Sequence, residues 1–257
     1  MKHVVALGVL IAMAAPQVVQ AAPNSPERVA AFAELEDWKG IWELDFKGAQ
    51  GTADAPVGYA DTNLISLAQK PPYNEAWEAK RLKMIEENPD LGPAGKVCSF
   101  GYPGMMAGPH LFQMFVYPEE VLIVARGDEL RHVYTDGRDH PVPEDLWPTP
   151  MGDSIGHWEE DGTLVIDTIA REEGPVWTDP RLPISGDARF VERIKMITPD
   201  RIRNEITIID PTALSRTWTI TSYYNRVTDI DRMFYESCTA NDRNIVVDGQ
   251  MIIAPPR

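Results

Sequence analysis

The stretch "ARFVERIKMITPDRIRNEITII", residues 188–209, decides the fold. Phe190, Ile194 and Met196 share one alternating register while Arg189, Arg193 and Lys195 occupy the other, and Ile202, Ile206 and Ile208 repeat the pattern after the turn at "TPDR". A period of two with one apolar face is the signature of half-buried strands, and two such runs joined by a short polar turn predict an antiparallel pair. Two residues break the pattern in the same way. Glu192 and Asn204 fall in the apolar registers, which predicts that both side chains point into the protein.

Working outward, the same alternation runs through "LFQMFVY", "EVLIVAR", "ELRHVYT", "SIGHWEE", "TLVIDTI" and "SRTWTITSYYN", separated by the turn signals "YPEE", "RGDE", "TDGR" and "EEDG". With "GIWELDF" upstream this makes about nine or ten strands, enough for a sheet to curl and close. The fold expected is mostly β: a single antiparallel barrel filling residues 22–257. "NSPERVAAFAEL" predicts an N-terminal helix capped by Ser25 and ending near Asp37, and "PPYNEAWEAKRLKMIEEN" predicts one inserted helix. No short internal repeat supports a propeller. The Gly- and Pro-rich run around Tyr102, Met105 and Met106 is a long loop with apolar side chains, of the kind that folds over something.

Residues 1–21, with Lys2 followed by an apolar run and small residues before Ala21, have the layout of a secretory signal and place the chain in the periplasm or otherwise outside the cytoplasm. The apolar run is too short to span a bilayer, so no membrane insertion is expected after the signal is removed. A net charge of −15 without any Lys/Arg cluster argues against nucleic-acid binding. An exported chain with only Cys98 and Cys238 allows one disulfide between them, the reading preferred here, or two buried thiols.

Several polar and aromatic residues become candidates for a site. In "ELRHVYT" the register Leu130, His132, Tyr134 opposes Arg131 and Val133, and the first set is expected inside. Glu192, as a buried carboxylate, or His132 would then be the base, with Tyr134 or His157 as acid or orienting group. Arg138 would anchor an anion at the rim or pair with Asp136, and Asn204, Trp42, Tyr102, Met106, Trp158, Trp218 and Tyr224 would line the cavity. The competing structural reading is that Glu192 pairs with an inward arginine such as Arg126. His132, Asp136 and His140 have helical metal-ligand spacing, but Asp136-Gly137 and Pro141 exclude the helix, so no metal site is assigned. "GDSIG" matches a nucleophile-elbow string without the helix that must follow it.

"KGIW" at Gly40–Trp42, "VYTDGRDHP", "GDSIGHWEEDGTLVIDT", "FVERI" and "ITIIDPTALSRTW" together resemble a broad, mostly uncharacterised family of exported bacterial lipocalin-like (calycin) barrels. The resemblance spans roughly Trp38 to Asn244. Asp153 stands where that family commonly has histidine, and "EEDGTL" is one residue longer than its usual counterpart. The resemblance implies a calycin barrel and an exported protein. Similar proteins occur in bacteria that degrade plant aromatics, where cofactor-free and formaldehyde-releasing lyases act on lignin-derived dimers. The functional expectation is therefore an exported barrel that binds a small aromatic molecule and performs cofactor-independent lyase, elimination or isomerisation chemistry. The alternatives are a periplasmic carrier for a small hydrophobic ligand and, if the interior is filled by side chains, an interaction module.

Overall fold

A computed structural model describes residues 26–45, 71–88, 101–107, 111–125, 129–175, 181–233, 244–247 and 250–253. Its centre is a closed barrel of nine strands in the order β1-β11-β10-β9-β6-β5-β4-β3-β2. These are β1 (Ile41–Leu44), β2 (Leu111–Val116), β3 (Glu120–Ala125), β4 (Leu130–Tyr134), β5 (Asp153–Trp158), β6 (Leu164–Ile169), β9 (Arg189–Thr198), β10 (Arg201–Ile209) and β11 (Trp218–Val227). Closure comes from β1, which pairs with β11 on one side and β2 on the other. Every one of the nine strands was expected from alternation. Two short pairs were not: β7 (Gly174–Pro175) with β8 (Pro183–Ile184), and β12 (Asn244–Val247) with β13 (Gln250–Ile253).

The barrel departs from an all-antiparallel one at a single seam. β4 and β5 run parallel and are joined by one residue pair, Tyr134 with Ile155. The connection from Thr135 to Gly152 is too long for a hairpin and brings the chain back alongside β4 in the same direction, as parallel pairing requires. Gly156 lets the two walls meet there, since a Cβ would lie 2.9 Å from the Val165 carbonyl oxygen and 3.1 Å from Val133 Cγ1.

Helix α1 (Pro26–Ala33) precedes the barrel and ends four residues earlier than its sequence suggests. Helix α2 (Glu75–Glu87) starts at Asn74, whose side chain accepts from the Trp77 backbone N–H, an N-cap interaction. Within the helix only Trp77 is buried, and Leu82 is 52% exposed. Trp77 docks the helix by donating to the Pro183 carbonyl at 3.3 Å.

The interior is layered by register. Phe190, Ile208 and Trp218 stand opposite one another near one end; Glu192, Ile206, Ile220 and Ile166 form the next level. Met196, Ile202, Tyr224 and Leu44 follow toward the other end, where Trp158 meets Trp38 edge-on at 5.6 Å. The first end is stopped by residues 101–107, all buried, with a short 3-10 turn at Gly104–Met106. Gly101 holds that plug in place. Its φ of +62° and the 2.5 Å from a built Cβ to the Pro150 carbonyl oxygen leave no space for another residue.

Candidate functional site

The phase of β9 and β10 is as their alternation predicts, and it delivers Glu192 and Asn204 to the interior with no exposed surface. Isolated, such a carboxylate is costly to desolvate, so its partners define the site. Asn204 Nδ2 donates to Glu192 Oε1 at 2.6 Å and Arg131 Nη1 donates to Oε2 at 2.8 Å. The rest of the Arg131 guanidinium is also engaged: Nη2 donates to Thr168 Oγ1 at 3.0 Å and Nε to Ser154 Oγ at 3.3 Å. Its flat face lies 3.7 Å from the centre of the Tyr102 ring. One arginine thus ties β4 to β5, β6 and β9 and also seats the plug.

Arg131 is the residue that sequence reasoning placed on the wrong face. In β4 the buried residues are Arg131 and Val133, while Leu130 is 40% exposed and the His132 side chain 48% exposed. His132 therefore points outward, where it pairs with Glu120 at 2.5 Å, and the expected Glu192–His132 couple is not formed. The reason is energetic. The observed phase gives the buried Glu192 a cation and buries Val133, at the cost of exposing Leu130; the other phase would leave Glu192 without Arg131. Glu192 does pair with an inward arginine, as the structural reading expects; that arginine is Arg131, and Arg126 lies outside the described residues. A short strand with apolar residues in both registers gives no local signal of its phase, but the demand of Glu192 for a cation could have chosen Arg131.

Tyr134 is half-buried on the outer side of β4, stacked on His132 at 6.2 Å and covered by the Arg138 guanidinium at 4.1 Å. Arg138 closes on Asp136 through Nε and Nη2, and this contact raises its pKa. His157 is exposed on β5, whereas Ser154 and Trp158 occupy the inner register. Trp42, Trp218, Tyr224 and Met106 are all buried in the hydrophobic core. Trp42 and Trp158 lie toward the far end from the plug, with the Arg226 guanidinium over the Trp42 ring. Cys98 and Cys238 lie outside the described residues, as do residues 1–21.

The three residues with metal-like spacing diverge. His132 faces Glu120, Asp136 holds Arg138, and His140 Nδ1 contacts Asp153 Oδ1 at 2.5 Å with Nε2 3.8 Å from Asp167 Oδ2. Asp167 in turn pairs with Arg189 on β9. The loop after β4 is thus laid across the outside of β5 and β6, mirroring what Arg131 does inside. Beside it an open groove of about 510 Å³ is lined by Tyr134, Arg138, Asp139, Pro141 and Asp153.

Two polar atoms remain at the interior centre. Tyr102 Oη and Asn204 Oδ1 are buried and lack a hydrogen-bond partner of acceptable geometry. Burial, then the adjacent Glu192 carboxylate, holds the Tyr102 hydroxyl well above the ordinary phenol range, so it stays protonated and available as a donor. Tyr224 is also pushed up, chiefly by burial. Around them stand Phe190, edge-on to Tyr102 at 5.1 Å, and Phe112, edge-on to Tyr224 at 4.9 Å.

No known protein family, no curated protein and no solved structure matches the chain.

Proposed function

We propose that this chain is an exported lipocalin-like barrel that binds a small phenolic molecule in its interior and carries it unchanged. The observation behind this reading is that two buried polar atoms on residues next to Glu192, Tyr102 Oη and Asn204 Oδ1, complete no hydrogen bond of good geometry. Tyr102 Oη has the Glu192 carboxylate beside it and Asn204 the Tyr224 hydroxyl, but neither neighbour completes the bond. A phenol hydroxyl is both donor and acceptor and so suits either atom, and buried polar groups are almost always served by something. The aromatic side chains around this centre belong to the packed core, so a ring enters only where they give way. The localisation and the calycin relationship belong to the proposal; lipocalin barrels have eight antiparallel strands, and this one has nine with a parallel seam.

Carriage is favoured over acid/base cleavage because the groups that cleavage required are on opposite sides of the wall. Glu192 is engaged by Arg131 and Asn204, while His132, Tyr134 and His157 face outward or lie at the surface. The test is titration of the purified protein with phenol, p-cresol and a panel of lignin-type aromatic dimers, followed by tryptophan fluorescence, with mass spectrometry of the recovered ligand. Saturable binding, weakened by Asn204→Leu and Tyr102→Phe, with the ligand returned intact, is the expected result. A product of altered mass would restore the lyase reading. Failure of every phenol to bind would mean that water serves the two atoms.

A further inference from the structure

Arg171 is 4% exposed, yet it has no carboxylate partner among the described residues. Its Nη1 donates to the Gly174 carbonyl at 3.4 Å, its Nη2 donates to the Pro175 carbonyl, and its Nε is buried with no hydrogen-bond partner among the described residues. Glu172, the next residue, and Tyr102 act on it only through space. Every other strongly buried ionic side chain described above is matched; this one is not. Neutral carbonyls satisfy its N–H groups in part and leave its charge uncompensated.

The backbone is bent to put it there. Thr168 points inward, so continued alternation would send residue 171 outward. Ala170 instead adopts φ 54°, the one left-handed non-glycine residue among those described, and breaks the alternation. Such strain persists only where surrounding contacts enforce it, and it concentrates at sites that hold ligands. Ala170 is enforced by Thr149, whose N–H donates to the Ala170 carbonyl at 3.0 Å and whose own carbonyl accepts from Glu172 N–H at 3.0 Å. The neighbouring Pro150 carbonyl accepts from Tyr102 N–H at 3.0 Å. Arg171 therefore sits beside the plug that closes the phenol site.

We propose that Arg171 is an anion site for a small carboxylate, and that the molecules this barrel takes are aromatic acids. A carboxylate oxygen would accept from the free Nε and neutralise the guanidinium. Desolvation already draws the Arg171 pKa down to about 10, in keeping with a cation that lacks its counter-ion. The aromatic part of the claim rests on the phenol-binding reading; the carboxylate part does not.

Calorimetric titration with sodium benzoate, and separately with benzyl alcohol, tests it on wild-type protein, Arg171→Met and Arg171→Lys. Benzoate is expected to bind the wild type and to lose about tenfold or more in affinity in R171M, with benzyl alcohol unchanged. R171M is also expected to melt no lower than the wild type, because it removes a desolvated charge. Should R171M fail to fold, R171K carries the test, since lysine keeps the charge and loses the planar fork. Weaker benzoate binding with unaltered benzyl alcohol binding supports the site. Equal benzoate affinity in all three proteins, or none in the wild type, overturns it. Benzoate binding that depends on Arg171 while no phenol binds would retain the anion site and refute the phenol site.

Discussion

Glu192 accepts from Arg131 at 2.8 Å and from Asn204 at 2.6 Å, and each of the two charges is stable in the interior only because the other is there. Glu192→Gln leaves Arg131 charged and buried among hydroxyls, which is expected to lower the urea-unfolding free energy by roughly 3–5 kcal/mol. The double variant Arg131→Met/Glu192→Leu removes both charges while keeping most of the volume, and is expected to unfold at clearly higher urea than E192Q. Equal losses in the two proteins would show that shape, not charge, sets the cost. At this scale the sequence was half readable. Glu192 and Asn204 announce themselves because they interrupt long apolar registers, whereas Arg131 sits in a strand of five residues where Leu130 and Val133 point to opposite answers.

The element that depends most on side chains is the β4–β5 seam. Elsewhere each pair of neighbouring strands shares a ladder of several residues, but here the backbone supplies one bridge. Arg131 spans the seam from within and His140 clamps it from outside through Asp153, both partners being largely buried. His140→Ala is therefore expected to cost about 1.5–3 kcal/mol, the worth of a hydrogen bond to a charged group. Its mark should be local: amide exchange should quicken in β4 and β5 and stay slow in β9 and β10. Uniform quickening would mean that the clamp matters no more to the seam than to the rest of the barrel. This also explains the dense polarity of "YTDGRDHP". Alternation revealed the strands on either side of it, but the pairing of strands so distant in the chain, and hence the clamp, has no period to read.

Over the whole molecule, the same closed wall that buries the Glu192 centre also withholds Tyr102 and Tyr224 from ionisation. Both folded-state pKa values lie above the unfolded value of about 10, so near and above that pH the folded chain holds more protons than the unfolded one. Stability from these two groups is fully present below about pH 10 and falls as pH rises beyond it. The surface contributes in the same direction, because a chain already at −15 becomes more negative as lysines lose their charge. The wild-type slope alone therefore mixes two causes, and the difference between proteins separates them. Tyr102→Phe keeps the lysines and removes one interior hydroxyl, so its unfolding free energy should decline less steeply between pH 9 and 12 than that of the wild type. The phenolate absorbance near 295 nm gives the matching signal: part of it should appear only together with the loss of circular dichroism, and that late part should shrink in Y102F. If all tyrosines titrate while the barrel is still folded, the interior at Glu192 is open to hydroxide, and both the plug and the binding site argued from it fail together.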